Sequence, residues 1–109
     1  MKTQIRNINF TRGNTYSLQI TLKTNIVEIK NIYFTVKDGG DNKLIEKKLN
    51  DGITFDNESG KLILHLKPND TDNLLDDVDY KYDFQINYGL DDELTILKGL
   101  FVVSWKVTD

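Results

Sequence analysis

Apolar and polar residues alternate strictly in several segments spread along this chain, and this pattern limits the folds that it can adopt. Residues 78–88 place an apolar or aromatic side chain at every second position, and residues 16–22, 32–36 and 62–66 repeat the pattern. Side chains of a β-strand alternate between the two faces of a sheet, whereas a helix needs a period near 3.6. The spacing therefore predicts a series of half-buried strands.

Composition and turn signals agree with an all-β protein. The 109 residues include no alanine and one proline, Pro68, so strong helix formers are scarce. Gly and Asn clusters at 11–14, 38–42, 50–52 and 57–60 separate the alternating runs. Only residues 67–75 suggest a helical turn, begun by Pro68 and capped by Asn69 or Asp70. We expect one domain, 1–109, with about seven to eight antiparallel strands packed as a sandwich or barrel.

The alternation also predicts which side chains form the core. The first strand is expected at residues 4–10, and the last strand carries Gly99 among apolar residues, which suggests a bulge or a close backbone approach. Apolar members of the last strand that share one face are Leu97, Phe101, Val103, Trp105 and Val107. The residues expected between two sheets are Leu18, Ile20, Phe34, Leu64, Tyr82, Phe84 and Val103.

Residues 76–82 have the spacing of the tyrosine corner of immunoglobulin-type sandwiches, in which a tyrosine hydroxyl bonds to the backbone just upstream. Tyr80 would be the corner tyrosine, and Tyr82 stands where antibody domains have a cysteine. Asp76 would close the preceding loop through local bonds to the backbone. An ordinary strand with aromatic residues fits the same spacing.

Side chains suited to catalysis or metal binding are sparse. The chain has no cysteine, which excludes disulfides, thiolate zinc sites and a cysteine nucleophile. The acids around Asp70, Asp72 and Asp77 lack the fixed spacing of a helix–loop–helix calcium loop. His65, the only histidine, alternates away from the neighbouring leucines, and no nucleophile motif accompanies it. We therefore expect no catalytic residue, no metal, no cofactor and no enzyme activity.

Charge is distributed unevenly along the sequence. Residues 1–54 contain nine Lys or Arg and five Asp or Glu, whereas residues 55–109 contain five and twelve. Such asymmetry either cancels in the fold or steers association with a partner or a second copy. No dense basic run with aromatics is present, so nucleic acid is not an expected partner. No apolar run approaches the roughly 20 residues of a membrane span, and the N-terminus lacks a signal-peptide core.

The ordered segments 11–23, 29–38, 52–74, 78–86 and 94–108 resemble the N-terminal domain of the baseplate upper protein of tailed bacteriophages and related small tail proteins. The resemblance implies an immunoglobulin-like β-sandwich that anchors its chain to other tail or baseplate proteins in the virion after synthesis in the bacterial cytoplasm. The matching positions, which it implies are structural, are Arg12, Gly13, Gly60, Pro68, Thr71, Tyr80, Tyr82, Gly99, Val107 and Thr108. Val78 departs from the small residue or glycine that is common in the family.

The residues alone leave one other function and one further partner open. A bacterial carbohydrate- or surface-binding module with the same kind of fold could use exposed aromatic residues such as Tyr33 and Tyr88 as a sugar platform. The uneven charge is also compatible with a homo-oligomer, in which the basic first half of one copy meets the acidic second half of another.

Overall fold

A computed structural model of the protein describes residues 3–22 and 29–104, and it is all-β with one short helical turn. Trp105, Val107 and Thr108 lie outside the described residues. The strands are β1 (Gln4–Ile5), β2 (Ile8–Thr11), β3 (Tyr16–Thr21), β4 (Ile29–Lys37), β5 (Lys43–Leu49), β6 (Gly52–Asp56), β7 (Lys61–Leu66), β8 (Tyr80–Tyr88) and β9 (Asp92–Ser104). A 3-10 helix covers Pro68–Thr71.

The strands form one curled, mixed sheet in the order β1-β9-β8-β4-β5-β6-β7-β3, with β2 also paired to β9. The purely antiparallel arrangement expected from the sequence is wrong at three places. β1 and β2 run parallel to β9, and β5 runs parallel to β6. Strands from the two ends of the chain have no short hairpin between them to impose an antiparallel direction, so β1 and β2 can join β9 in parallel.

The strand predicted at residues 4–10 is interrupted, which raises the strand number to nine. The Arg6 N–H donates to the Lys98 carbonyl (2.9 Å), but the Leu100 N–H donates to the side-chain Oδ1 of Asn7 (3.1 Å). Because a side chain replaces the backbone acceptor there, the ladder breaks between β1 and β2.

The predicted helical turn is present, with a different cap. Pro68 is its first residue, as expected, and its fixed φ suits that position. Neither Asn69 nor Asp70 is the N-cap residue. Lys67 occupies that position. The Asp70 carboxylate accepts a hydrogen bond from the Lys67 N–H (2.7 Å) and forms an ion pair with the Lys47 ammonium (2.9 Å).

The predicted turns lie where expected, and Gly60 has a specific conformational role in one of them. Gly60 ends the β6–β7 turn at φ 72°, in the left-handed region that glycine adopts readily. A Cβ there would lie 2.9 Å from the Leu22 carbonyl oxygen, while the Gly60 carbonyl accepts the Leu22 N–H (2.9 Å). Gly60 is therefore needed for both its backbone conformation and this close approach.

The core contains the residues that the alternation predicted. Ile20 is half-buried against it, and the other six predicted members are buried, namely Leu18, Phe34, Leu64, Tyr82, Phe84 and Val103. Phe34 lies at its centre, with ring centroids 4.9 Å from Phe84 and 5.7 Å from Tyr82. Such aromatic pairs add stabilisation beyond the area they bury.

Within residues 3–22 and 29–104, no helix has the length and apolar character needed to cross a membrane.

Candidate protein-binding surface

Tyr80 fixes the loop that enters β8. It is the first residue of β8, its side chain is buried, and its hydroxyl oxygen accepts a hydrogen bond from the Leu75 N–H (2.8 Å). A tyrosine at the start of a strand that bonds to the backbone five residues upstream has the arrangement of a tyrosine corner.

Arg12 holds the same loop through three hydrogen bonds. Its guanidinium donates from Nε to Asp76 (2.9 Å), from Nη1 to the Thr71 carbonyl (2.8 Å) and from Nη2 to the Leu74 carbonyl. The local loop-closing role expected for Asp76 is therefore wrong, because its carboxylate pairs with an arginine 64 positions away. Gly13 follows at φ 85° and allows the chain to turn out of β2.

Tyr82 and Gly99 form a second group with the backbone of Arg6. They are register partners across β8 and β9, and the Tyr82 hydroxyl donates to the Arg6 carbonyl. A Cβ added to Gly99 would lie 2.2 Å from that same carbonyl oxygen. The close backbone approach predicted at Gly99 is thus present, whereas the register shift between β8 and β9 occurs at Phe84/Gln85.

We expect Tyr80→Phe to lower the free energy of unfolding by about 1–3 kcal/mol, because the Leu75 N–H loses its acceptor in a partly buried setting. Gln85→Ala, on the opposite face of β8, should change it by less than about 0.5 kcal/mol. Urea denaturation of both variants measures the difference. Equal, negligible losses would show that the corner bond does not stabilise the fold.

Tyr82 should make stability depend on pH in the alkaline range. Burial raises the pKa of Tyr82 to about 12, from an ordinary value near 10. The folded state then holds the phenol proton more tightly than the unfolded state, so its contribution is complete below pH 10 and is lost as pH rises through 12. Denaturation midpoints of the wild type should fall more steeply over this range than those of Tyr82→Phe, and parallel curves would contradict the prediction.

The sheet face directed away from the core on β5, β4, β8 and β9 carries a continuous depression, which we call the outer trough. Its first end is a groove of about 460 Å³ where Ile5 and Leu100 lie beside lysines. Its middle contains Thr35, Gln85 and Asn87. Its second end borders the β8–β9 hairpin tip, residues 89–93. Neighbouring parts share lining residues, which makes the trough continuous.

The first end of the trough is basic because three strands bring lysines to one level. Lys37 on β4 lies directly opposite Lys43 on β5 and Lys81 on β8, and Lys98 of β9 lies opposite Asp83. Like charges placed directly across strands destabilise a sheet. Among the described residues, Lys37, Lys81 and Lys98 have no carboxylate within 4.0 Å, whereas Lys43 pairs with Glu46. We call Lys43, Lys37, Lys81 and Lys98 the lysine row.

The second end is acidic and carries an exposed apolar residue. Leu90 is 87% exposed at the hairpin tip and is followed by Asp91, Asp92 and Glu93. Within the part of the chain that the structure describes, these three acids form no salt bridge. The Lys30 ammonium donates to the Leu90 carbonyl (3.3 Å), which fixes the tip beside the trough.

The two tyrosines considered as a sugar platform both line the second end of the trough. Tyr33 is half-buried on the trough side of β4, while Tyr88 packs partly against the core. Asn87 lines the same end, and its side-chain Oδ1 is buried with no hydrogen-bond donor among the described residues. Residues distant in sequence therefore share one cleft.

Within the described part of the chain, His65 and the remaining acids do not gather into a metal site. His65 is exposed on β7 and lies opposite Ser17 of β3. Across residues 3–22 and 29–104, no group of three or more His, Cys, Asp or Glu side chains is placed to hold a metal ion.

Sequence reasoning missed the lysine row and the trough because their residues come from four strands. Each lysine occupies an outward position of its strand, which the alternation does show. Their alignment, however, depends on the register between strands, and only the folded chain provides it.

No protein-family model matches this chain, and a comparison with curated proteins finds no significant match.

Proposed function

We propose that this protein is a structural component of a bacteriophage or prophage virion, a tail or baseplate domain that acts through protein–protein contacts. The observation that carries this proposal is the outer trough, with an apolar and basic groove at one end and an acidic, leucine-bearing tip at the other. A surface that exposes apolar side chains among unpaired charges is suited to a protein partner, which can cover both.

We also propose that the curled sheet folds over into the two packed layers of an immunoglobulin-like β-sandwich. Strands β6, β7 and β3 join the rest of the sheet through only two register pairs, Lys48 with Gly52 and Leu49 with Ile53. So short a junction is what a chain makes when it crosses from one layer to another. The tyrosine-corner bond of Tyr80 at the start of β8 supports the same interpretation.

The positions that carry the resemblance to the phage domain support the proposal by their placement. Arg12, Thr71 and Tyr80 hold one loop, while Tyr82 and Gly99 receive the backbone of Arg6. Residues that are far apart in sequence thus serve two shared structural tasks. None of these positions lies in a reactive cluster, which fits an anchoring domain.

The test is to locate the protein in the particle. Particles should be purified from the bacterium or phage that carries the gene and labelled with gold-conjugated antibody against this chain. We expect label at the tail or its distal end in electron micrographs, with particles lacking the gene as the control. Label absent from particles and present on the bacterial surface would contradict the proposal.

The shared cleft of Tyr33 and Tyr88 favours a second candidate, a carbohydrate-binding module. Aromatic rings and amide or carboxylate groups together can hold a sugar through stacking and hydrogen bonds. A glycan array separates the two functions, since a carbohydrate module should bind a defined glycan and lose it in Tyr33→Ala. Gln19→Ala, an exposed change on β3, is the matched control.

A further inference from the structure

We propose that the outer trough is occupied by a second copy of this chain, in a two-fold dimer whose hairpin tips each rest on the other copy's lysine row. The inference rests on the proposed role of the trough as a protein-binding surface and names its partner.

The first end of the trough is suited to an anionic neighbour, since three lysines and two aspartates line it. Lys37 faces lysines on both adjacent strands, at Lys43 and Lys81, and such like-charge register pairs are unfavourable in the isolated chain. The groove beside them contains Ile5, which is 76% exposed, and half-buried Leu100. A complementary ligand therefore combines an apolar side chain with several carboxylates.

The hairpin tip of the same chain has this composition. Leu90 is the most exposed of the large apolar residues in the described part of the chain, and Asp91, Asp92 and Glu93 follow it directly. Leu90 matches the apolar floor formed by Ile5 and Leu100. The three acids are opposite in charge to the four lysines of the lysine row.

The positions of the two ends allow both contacts to form at once. The lysine row lies at the start of β8 and the tip at its end, about 23 Å apart for seven residues at about 3.3 Å per residue. A two-fold axis between two facing troughs, perpendicular to β8, reverses strand direction and preserves strand order. The tip of each copy then lies over Lys81, Lys98 and Leu100 of the other, and the interface closes on itself.

The dimensions of the chain fit this arrangement. The Cα extents of 44 × 29 × 21 Å give the face enough room for a standard interface of roughly 800 Å² per partner.

Sedimentation velocity over a wide range of protein concentration tests the dimer directly. We expect a monomer–dimer equilibrium at about 0.1 M salt that weakens at about 1 M, because the Debye length falls from about 10 Å to about 3 Å. Leu90→Ser should weaken dimerisation by about tenfold or more. Leu75→Ser, an equally simple change at an exposed leucine outside the trough, should leave it unchanged.

Charge exchange distinguishes this interface from nonspecific association. The double variant Lys81→Glu/Lys98→Glu and the double variant Asp91→Lys/Asp92→Lys should each be monomeric alone. Mixed together, they should form a one-to-one heterodimer, because each reversed end then faces an opposite charge. A strict monomer at all concentrations, assembly beyond dimers, or a mixture that stays monomeric would overturn the proposal.

The outcomes also separate this inference from the proposed function. If antibody labels the tail but the protein is strictly monomeric, the proposed function stands and the dimer is rejected. The trough would then bind a different tail protein or another acidic protein. A dimer without tail labelling keeps the inference and rejects the virion role. Binding of a short DNA duplex to the wild type, abolished in Lys81→Glu/Lys98→Glu, would overturn the assignment of the lysine row to a second copy.

Discussion

Replacing Gly99 with alanine should destabilise the protein by about 3 kcal/mol, because the new methyl group would overlap backbone atoms rather than a movable side chain. A Cβ at this position would lie 2.2 Å from the Arg6 carbonyl oxygen and 2.8 Å from its carbonyl carbon. The segment between β1 and β2 must then move away from β9. That movement also separates the Arg6 carbonyl from the Tyr82 hydroxyl.

The matched control for this change is Gly39→Ala in the turn between β4 and β5. A Cβ on Gly39 meets no atom within 4 Å, so its effect on the free energy of unfolding should be below about 0.5 kcal/mol. Urea denaturation of the two variants gives the comparison. If Gly99→Ala unfolds at the wild-type midpoint, then Arg6 does not lie against β9 as described.

Replacing Arg12 with alanine should lower the free energy of unfolding by about 2–3 kcal/mol, because hydrogen bonds to a charged donor are lost and two loop carbonyls lose their partner. The carbonyls belong to Thr71 and Leu74, and the Asp76 carboxylate loses its counter-ion. Arg12→Lys should recover only part of the loss, since an ammonium group cannot reproduce the planar arrangement of donors.

Two measurements separate this role from a general effect of charge. Arg6→Ala removes an exposed arginine whose side chain makes no hydrogen bond to the described residues, and it should cost less than about 0.5 kcal/mol. Amide hydrogen exchange at Leu75 should accelerate in Arg12→Ala, because the loop that Tyr80 and Arg12 hold opens more often. Unchanged exchange there would argue against the loop-holding role.

Local sequence patterns were enough to predict most of the strands and the buried face of each. Alternation is a local property, and burial of the apolar face is its direct consequence, so Phe34, Leu64 and Phe84 are buried as predicted. Turn chemistry is equally local, which explains why Gly13 and Gly60 lie at turns with positive φ. The role of Tyr80 as the corner tyrosine could be predicted because the tyrosine-corner motif spans only a few residues.

The way in which these strands pair could not be predicted from local patterns. Alternation is the same for parallel and antiparallel pairs, so it could not show that β1 and β2 run parallel to β9. The partner of Asp76 was missed because Arg12 is remote in sequence and becomes a neighbour only when β2 joins β9. The lysine row likewise depends on the registers of four strands. Lysines that are far apart along the chain become one surface because long-range pairing brings them to the same end of the sheet.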